Sequence, residues 1–135
     1  MVYITRKEHF SASHRLFNSA WSYEKNVEVF GKCAWENGHG HNYELEVTVA
    51  GNPPVETGMV IDLKKLSDII CKEVVDVVDH KHLNFDIDFL SGVIPTAENM
   101  AIAFWRILEK KIYGGKLYSI KLYESPNNFV EYRGE

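Results

Sequence analysis

The chain has 135 residues, 45% of them hydrophobic and 25% charged, which are ordinary proportions for a globular protein with one core. Its 15 lysines and arginines against 19 aspartates and glutamates give a net charge of −4, so the basic excess of a general nucleic-acid binder is missing. No apolar run is long enough to span a membrane, and the first residues, MVYITRKEHF, lack the hydrophobic stretch of a signal peptide. We therefore expect a cytoplasmic protein with one domain, residues 1–135, and two reduced cysteines.

The first part of the chain contains two predicted strands. Residues 2–13 are rich in β-formers and contain no glycine or proline, which indicates one long strand. Residues 15–40 have no sustained period and predict a long functional loop or short irregular pieces. Residues 41–50 alternate apolar and polar side chains, which is the pattern of a half-buried strand.

Two amphipathic helices are predicted next. Asp62 is a plausible N-cap for the first, and apolar residues follow it at spacings of three and four, ending with Val77 and Val78. Thr96 can cap the second helix, whose apolar stripe continues to Ile112.

Two further strands, residues 117–124 and 129–133, are separated by turn-forming residues. The order ββααββ predicts an α+β fold in which two helices cover one face of a four-stranded antiparallel sheet. The edges of such a sheet are open, so self-association is expected.

Three histidines in this pattern suggest a metal site. His39 and His41 are two residues apart at the start of the second strand, so their rings point to the same side. His14 ends the first strand, and antiparallel pairing would bring that end to the start of the second. Three neutral imidazoles suit Zn²⁺ and leave one position open for substrate or water, as in a catalytic site. The alternative is a histidine pair without metal.

The two cysteines have different sequence surroundings. Cys33 stands five intervening residues before His39, and its thiol could be a fourth zinc ligand, a nucleophile, a general base or a small buried group. Cys71 falls in the apolar repeat of the first helix, which predicts a core residue.

Three other residues could carry chemistry. Asp79 and His80 follow the first helix, where a cationic side chain suits the helix C-terminus, but the two could also form a proton-handling pair. Glu124 ends the third strand, where a carboxylate is usually solvated or, as the functional alternative, accepts paired N–H donors from a flat heterocycle. His9 and His82 have no assigned chemistry.

Several motifs, in order along almost the whole chain, resemble the 6-pyruvoyl-tetrahydropterin synthase family. They are Phe10–Arg15, Phe30–Cys33, His39–Tyr43, Gly58–Val60, Asp79–Lys81, Leu83–Asn84, Thr96–Asn99 and Tyr123–Glu124. The resemblance implies a tunnelling fold (T-fold), in which the strands of three subunits join into a barrel. It also implies that two such trimers stack into a homohexamer with active sites at subunit interfaces.

The resemblance also implies roles for individual residues. His14, His39 and His41 match the zinc ligands of the family, one Zn²⁺ per subunit. Cys33 matches its catalytic thiol.

Asp79 and His80 match the partners that activate this thiol from another subunit. Glu124 matches the carboxylate that anchors the pterin ring, and Thr96 matches a further substrate-binding position. Relatives often carry a second threonine where this chain has Ala97.

The implied reaction is that of a lyase: 7,8-dihydroneopterin triphosphate is converted to 6-pyruvoyl-tetrahydropterin with loss of triphosphate, in tetrahydrobiopterin biosynthesis. No glycine-rich dinucleotide motif is present. Mg²⁺ is implied with the triphosphate, for which Arg15, Lys32 and Lys81 are candidate contacts.

Two other functions compete with this one. The first is 6-carboxy-tetrahydropterin synthase of deazaguanine biosynthesis, in which three residues typically separate the cysteine from the histidine pair, whereas five residues separate Cys33 from His39. The second is a non-catalytic zinc-stabilised module, in which Cys33 would bind the metal.

Overall fold

The computed structural model describes all residues, Met1–Glu135, and is built on a five-stranded sheet with the order β3-β1-β2-β4-β5. The strands are β1 (Val2–His14), β2 (His39–Gly51), β3 (Lys81–His82), β4 (Lys116–Ser125) and β5 (Asn128–Tyr132). Four of them pair antiparallel as predicted, but β3 adds a short fifth strand that runs parallel to β1. The prediction of four strands missed β3 because two residues carry no periodic pattern.

The helices are α1 (Tyr23–Phe30), α2 (Leu63–Ile70), α3 (Asp76–Val78) and α4 (Ala97–Leu108), with 3₁₀ turns at Gly31–Ala34 and Asp88–Leu90. None of them is both long and apolar enough to cross a membrane. The buried side chains of α2, α3 and α4 form one core cluster with those of the sheet, which is the predicted α+β arrangement.

The pairing of β1 with β2 sets the two faces of the sheet. It runs without interruption from Val2 opposite Gly51 to His14 opposite His39. One face packs against the helices through buried residues of β2: Tyr43, Leu45, Val47 and Val49. The other face is polar, with cross-strand pairs such as Lys7 and Glu44, whose charged atoms are 2.9 Å apart.

The first predicted helix begins as expected but is not regular. Asp62 caps it by accepting a hydrogen bond from the backbone N–H of Lys64 at 2.8 Å. Between α2 and α3, Cys71–Val75 form a π-helical turn, which is wider than an α turn. The stripe predicted Val77 in the core, but the wider turn leaves it 40% exposed and buries Val75 instead.

Helix α4 has the predicted cap but ends early. The Thr96 hydroxyl accepts a hydrogen bond from the Asn99 N–H at 3.2 Å. The fully buried Phe104 packs edge-on against Phe10 of β1, with ring centroids 6.1 Å apart. The helix stops at Leu108 and does not extend to Ile112.

Residues 15–40 contain more structure than the sequence predicted. Helix α1 is capped by Ser22, but Asn26 is its only buried residue. The sequence therefore contains no apolar stripe that predicts this helix. The Asn26 amide holds the backbone of Asn18 from both sides: its oxygen accepts from the Asn18 N–H at 2.7 Å and its nitrogen donates to the Asn18 carbonyl at 3.0 Å. The segment after β1 is therefore fixed by a side chain.

Candidate metal centre and active site

The ends of β1 and β2 bring three histidines together, as the sequence predicted. His14 pairs directly with His39, and His41 lies two residues further along β2, opposite Ala12. One ring nitrogen from each of the three imidazoles lies within 4.8 Å of the other two. The strand register alone therefore creates a group able to hold a metal ion.

Gly38 allows β2 to start close against β1. Its φ is 71°, in the left-handed region that favours glycine, and a Cβ added there would lie 2.7 Å from the carbonyl oxygen of His14. A larger residue would push His39 away from its partner.

The surroundings of His14 and His39 favour neutral imidazoles. His14 is fully buried, and its Nδ1 lies 2.8 Å from the Pro95 carbonyl, so Nδ1 carries the proton and Nε2 keeps its lone pair. The two Nε2 atoms of His14 and His39 are 3.1 Å apart. Burial lowers the pKa of His14, and burial together with the neighbouring His41 lowers that of His39.

His41 has a buried ring nitrogen without a partner. Its Nε2 lies 3.2 Å from Glu124 Oε1 but makes no hydrogen bond. A buried unpaired nitrogen is costly, and a metal ion would satisfy it. Two nitrogens bound to one tetrahedral zinc lie about 3.4 Å apart, close to the observed spacing of His14 and His39. The donor set fits zinc.

Cys33 lies on the 3₁₀ turn Gly31–Ala34, next to the end of β1. Its carbonyl accepts a hydrogen bond from the Leu16 N–H at 2.8 Å, and its side chain is partly exposed. The group of metal-compatible atoms consists of the three imidazoles and does not include the Cys33 sulfur. This arrangement counts against a closed site with four protein ligands.

Asp79 and His80 contact each other at the edge of β1. Asp79 Oδ1 accepts from the Ser11 N–H at 2.9 Å, and His80 Nδ1 lies 2.9 Å from Asp79 Oδ2. The hydrogen bond from Ser11 and the contact with His80 lower the pKa of Asp79. His80 has a φ of 60°, donates its backbone N–H to the Ser11 carbonyl, and leaves its side chain 81% exposed. The imidazole is therefore held firmly at its base and open to an approaching molecule.

A polar cleft of about 400 Å³ lies beside this pair. His80, Lys81 and His82 line one side, and residues of β1 and β2, including Ser11 and Asn42, line the other. Of the three predicted triphosphate contacts, only Lys81 lines this cleft. Arg15 instead donates from Nε to the Ala34 carbonyl at 2.8 Å, and Lys32 is exposed on the turn that carries Cys33.

Glu124 lines a separate pocket of about 200 Å³ with Ala97, Glu98 and Phe129. The Thr96 hydroxyl next to it serves as the α4 cap, so its oxygen is occupied while its proton remains free to be donated. Glu98 belongs to the Thr96–Asn99 motif but was assigned no functional role from the sequence. Its position one residue after the matched Thr96–Ala97 was the signal for a place in this pocket.

Comparisons with known proteins agree along the whole chain. The family model described as 6-pyruvoyl tetrahydropterin synthase matches residues 3–135. A Homo sapiens relative named 6-pyruvoyl tetrahydrobiopterin synthase is 43% identical over 132 residues, which are 98% of this chain and 91% of the relative. A Rickettsia conorii relative named 6-carboxy-5,6,7,8-tetrahydropterin synthase is 32% identical over 149 residues, covering 97% of this chain and 99% of the relative.

Among solved structures, that of Caenorhabditis elegans 6-pyruvoyl tetrahydropterin synthase matches with a TM-score of 0.93 at 38% identity. The match covers 99% of this chain and 96% of that one. The predicted α+β T-fold subunit is thereby confirmed.

Proposed function

The chain belongs to the 6-pyruvoyl tetrahydropterin synthase family, and from this premise we propose that it converts 7,8-dihydroneopterin triphosphate to 6-pyruvoyl-tetrahydropterin and triphosphate. The observation that carries the proposal is the cluster of His14, His39 and His41 with Cys33 on a turn next to it. The whole chain, residues 1–135, acts as one domain in this proposal.

The three histidines are the proposed zinc ligands. Zinc bound there would act as a Lewis acid toward the side-chain oxygens of the substrate, which makes the adjacent C–H groups more acidic. The Pro95 carbonyl fixes His14 in the tautomer that a ligand needs, and the unpartnered His41 nitrogen supports metal binding independently.

Cys33 is the proposed base. As a thiolate it would take a proton from a side-chain carbon and return one elsewhere, so that triphosphate leaves and the side chain becomes a diketone. The side chain is oxidised and the ring is reduced within one molecule, so no external electron carrier is needed. Asp79 and His80 of a neighbouring subunit would tune this thiol, for which the exposed, anchored imidazole is suited.

Glu124 is the proposed anchor of the pterin ring. Its carboxylate can accept two parallel N–H donors, which orients a flat heterocycle as well as binding it. Its position 3.2 Å from His41 Nε2 supports this role, because the ring would then lie beside the metal ligands. Thr96 is proposed to donate its hydroxyl proton, and Ala97 contributes no polar side chain.

The triphosphate is proposed to contact Lys81 in the polar cleft, together with Mg²⁺, and no Mg²⁺ ligands are assigned. Because the net charge of the chain is −4, attraction for this tail has to be local. The protein is proposed to be a cytoplasmic homohexamer, a dimer of trimers whose strands close into barrels.

The experiment that tests the function is incubation of the purified protein, loaded with zinc and supplied with Mg²⁺, with dihydroneopterin triphosphate. Identification of a diketone product and free triphosphate supports the proposal. A 6-carboxy product would support the rival activity, which is the one in the name of the Rickettsia conorii relative. No conversion with full zinc content would favour a non-catalytic zinc module.

A further inference from the structure

The residues directly after His14 connect the end of β1 to the turn that carries Cys33. Resting on the proposed function, we propose that Arg15 and Asn84 are positioning residues for Cys33. Arg15 acts through its side chain, and Asn84 acts by fixing the backbone of Arg15. Neither residue needs to touch the substrate for this role.

Asn84 holds Arg15 as a neighbouring strand would. Its Oδ1 accepts from the Arg15 N–H and its Nδ2 donates to the Arg15 carbonyl, both at 2.8 Å. We call these two hydrogen bonds the Asn84 clamp. The clamp continues the pairing of β1 beyond β3, since the Leu83 N–H donates to the Ser13 carbonyl at 2.8 Å. Position 15 is therefore tied to the loop that follows Asp79 and His80.

Arg15 and its neighbour hold the turn that carries the thiol. Arg15 Nε donates to the Ala34 carbonyl, and the Leu16 N–H donates to the Cys33 carbonyl, each at 2.8 Å. The guanidinium also lies over the Phe17 ring, 3.8 Å from its centroid. Two consecutive carbonyls of the Cys33 turn are thus fixed by two consecutive residues of the clamped segment.

Asn84, Arg15 and Cys33 are therefore linked by short contacts that fix the turn carrying the thiol to the end of β1. A displacement of about 1 Å in a reacting group can cost on the order of 100-fold in rate, so a loosened turn would lower turnover strongly. Because Arg15 Nε donates to a backbone carbonyl, the main role of this side chain is to hold the Cys33 turn. This role differs from the triphosphate contact suggested by the sequence. The two roles differ in their kinetic effect: loss of a positioning residue lowers kcat, whereas loss of a substrate contact raises KM.

The test uses two variants of the full-length protein and a matched control. Asn84→Asp keeps the acceptor for the Arg15 N–H but loses the donor to its carbonyl. Arg15→Met removes the Nε donor, because the methionine side chain carries no N–H group. Asn52→Asp makes the same chemical change as Asn84→Asp in an exposed loop.

The measurements are kcat and KM for dihydroneopterin triphosphate, zinc content, and the rate of iodoacetamide alkylation of Cys33 in a Cys71→Ser background. We expect both variants to keep zinc and KM, to lose about 10- to 100-fold in kcat, and to change the alkylation rate by about threefold or more. The Asn52→Asp control should match the parent protein. If Arg15→Met does not fold, Asn84→Asp alone decides.

Three results would overturn the inference. A raised KM at unchanged kcat would make Arg15 a substrate contact, loss of zinc would make the pair a support of His14, and unchanged kinetics and alkylation would remove any role. Alkylation requires no substrate, so it tests the positioning of Cys33 even if the parent protein fails to turn over dihydroneopterin triphosphate. Such a failure would contradict the proposed function alone.

Discussion

At the level of single residues, Cys33 and Cys71 are both partly exposed thiols, but only Cys33 lies on a turn held at the end of β1. We expect Cys33→Ala to keep zinc and the oligomer while lowering kcat by about 100-fold or more, because general-base catalysis contributes on that scale. Cys71→Ala should retain most activity. Zinc analysis, size-exclusion chromatography and steady-state kinetics on both variants check this. Loss of metal in Cys33→Ala would instead make the thiol a ligand.

The three histidines should differ sharply from the remaining ones in metal binding. His14→Ala removes one of three proposed ligands, so bound zinc should fall to about a tenth or less of the parent value under dilute chelator. His9→Ala changes an exposed histidine and should keep one zinc per chain. Equal zinc content in the two variants would refute the metal site. Metal analysis after dialysis provides the measurement.

The secondary structure elements depend on the packing of α4 against the sheet. Phe104 is fully buried against Phe10 and Phe89, so Phe104→Ala should lower the free energy of unfolding by about 3–5 kcal/mol. Phe85 is 79% exposed, and Phe85→Ala should change it by about 0.5 kcal/mol or less. Urea denaturation at one fixed protomer concentration compares them. Similar losses in the two variants would mean that α4 is not the principal cover of the sheet.

The junction of α3 with the edge of β1 should be sensitive to acid. Hydrogen bonds from the Ser11 N–H and His80 lower the pKa of Asp79 in the folded state. A carboxyl group whose pKa is lowered by folding stabilises the fold at pH values above its ordinary pKa of about 3.9. This contribution disappears as the pH falls through the pKa of the folded state. The stability difference between the parent protein and Asp79→Ala should therefore be present at pH 5 and shrink below about pH 4. Urea titrations from pH 5 to about pH 3 measure it, and a difference that grows as the pH falls over that range would contradict the assignment.

The elements that the sequence predicted well are those with a strong repeat or a clear cap. The alternation in β2 and the caps Asp62 and Thr96 correspond to the structure because each acts over a few residues. Helix α1 was missed because it buries only Asn26, and β3 was missed because its position depends on β1 rather than on its own two residues.

The candidate site likewise contains contacts that the sequence predicts and contacts that it does not. The alternation of side chains along a strand and the antiparallel pairing of two strands were enough to bring His14, His39 and His41 together. The contact of Asp79 with the Ser11 N–H and the Asn84 clamp could not be predicted, because they join residues 68 and 69 positions apart in the chain. Such distant contacts leave no spacing pattern in a single sequence.

For the whole molecule, the open sheet edges at β3 and β5 are available for pairing with other copies. We expect a solution mass of six times the chain mass of 15.5 kDa, as proposed for a dimer of trimers. Light scattering coupled to size-exclusion chromatography measures this at several concentrations. A monomer at micromolar concentration with full turnover would exclude an active site that takes Asp79 and His80 from a second subunit.

The direct pairing of His14 with His39 also has a consequence for folding kinetics. The two strands are joined by residues 15–38, so this pair forms only after a long loop closes. A slip of one residue in the register would turn His14 to the opposite face of the sheet and leave two of the three imidazoles without it. The time at which refolding chains bind metal should therefore report when the correct register forms. Molecules trapped in a shifted register would contain β-sheet but take up no metal.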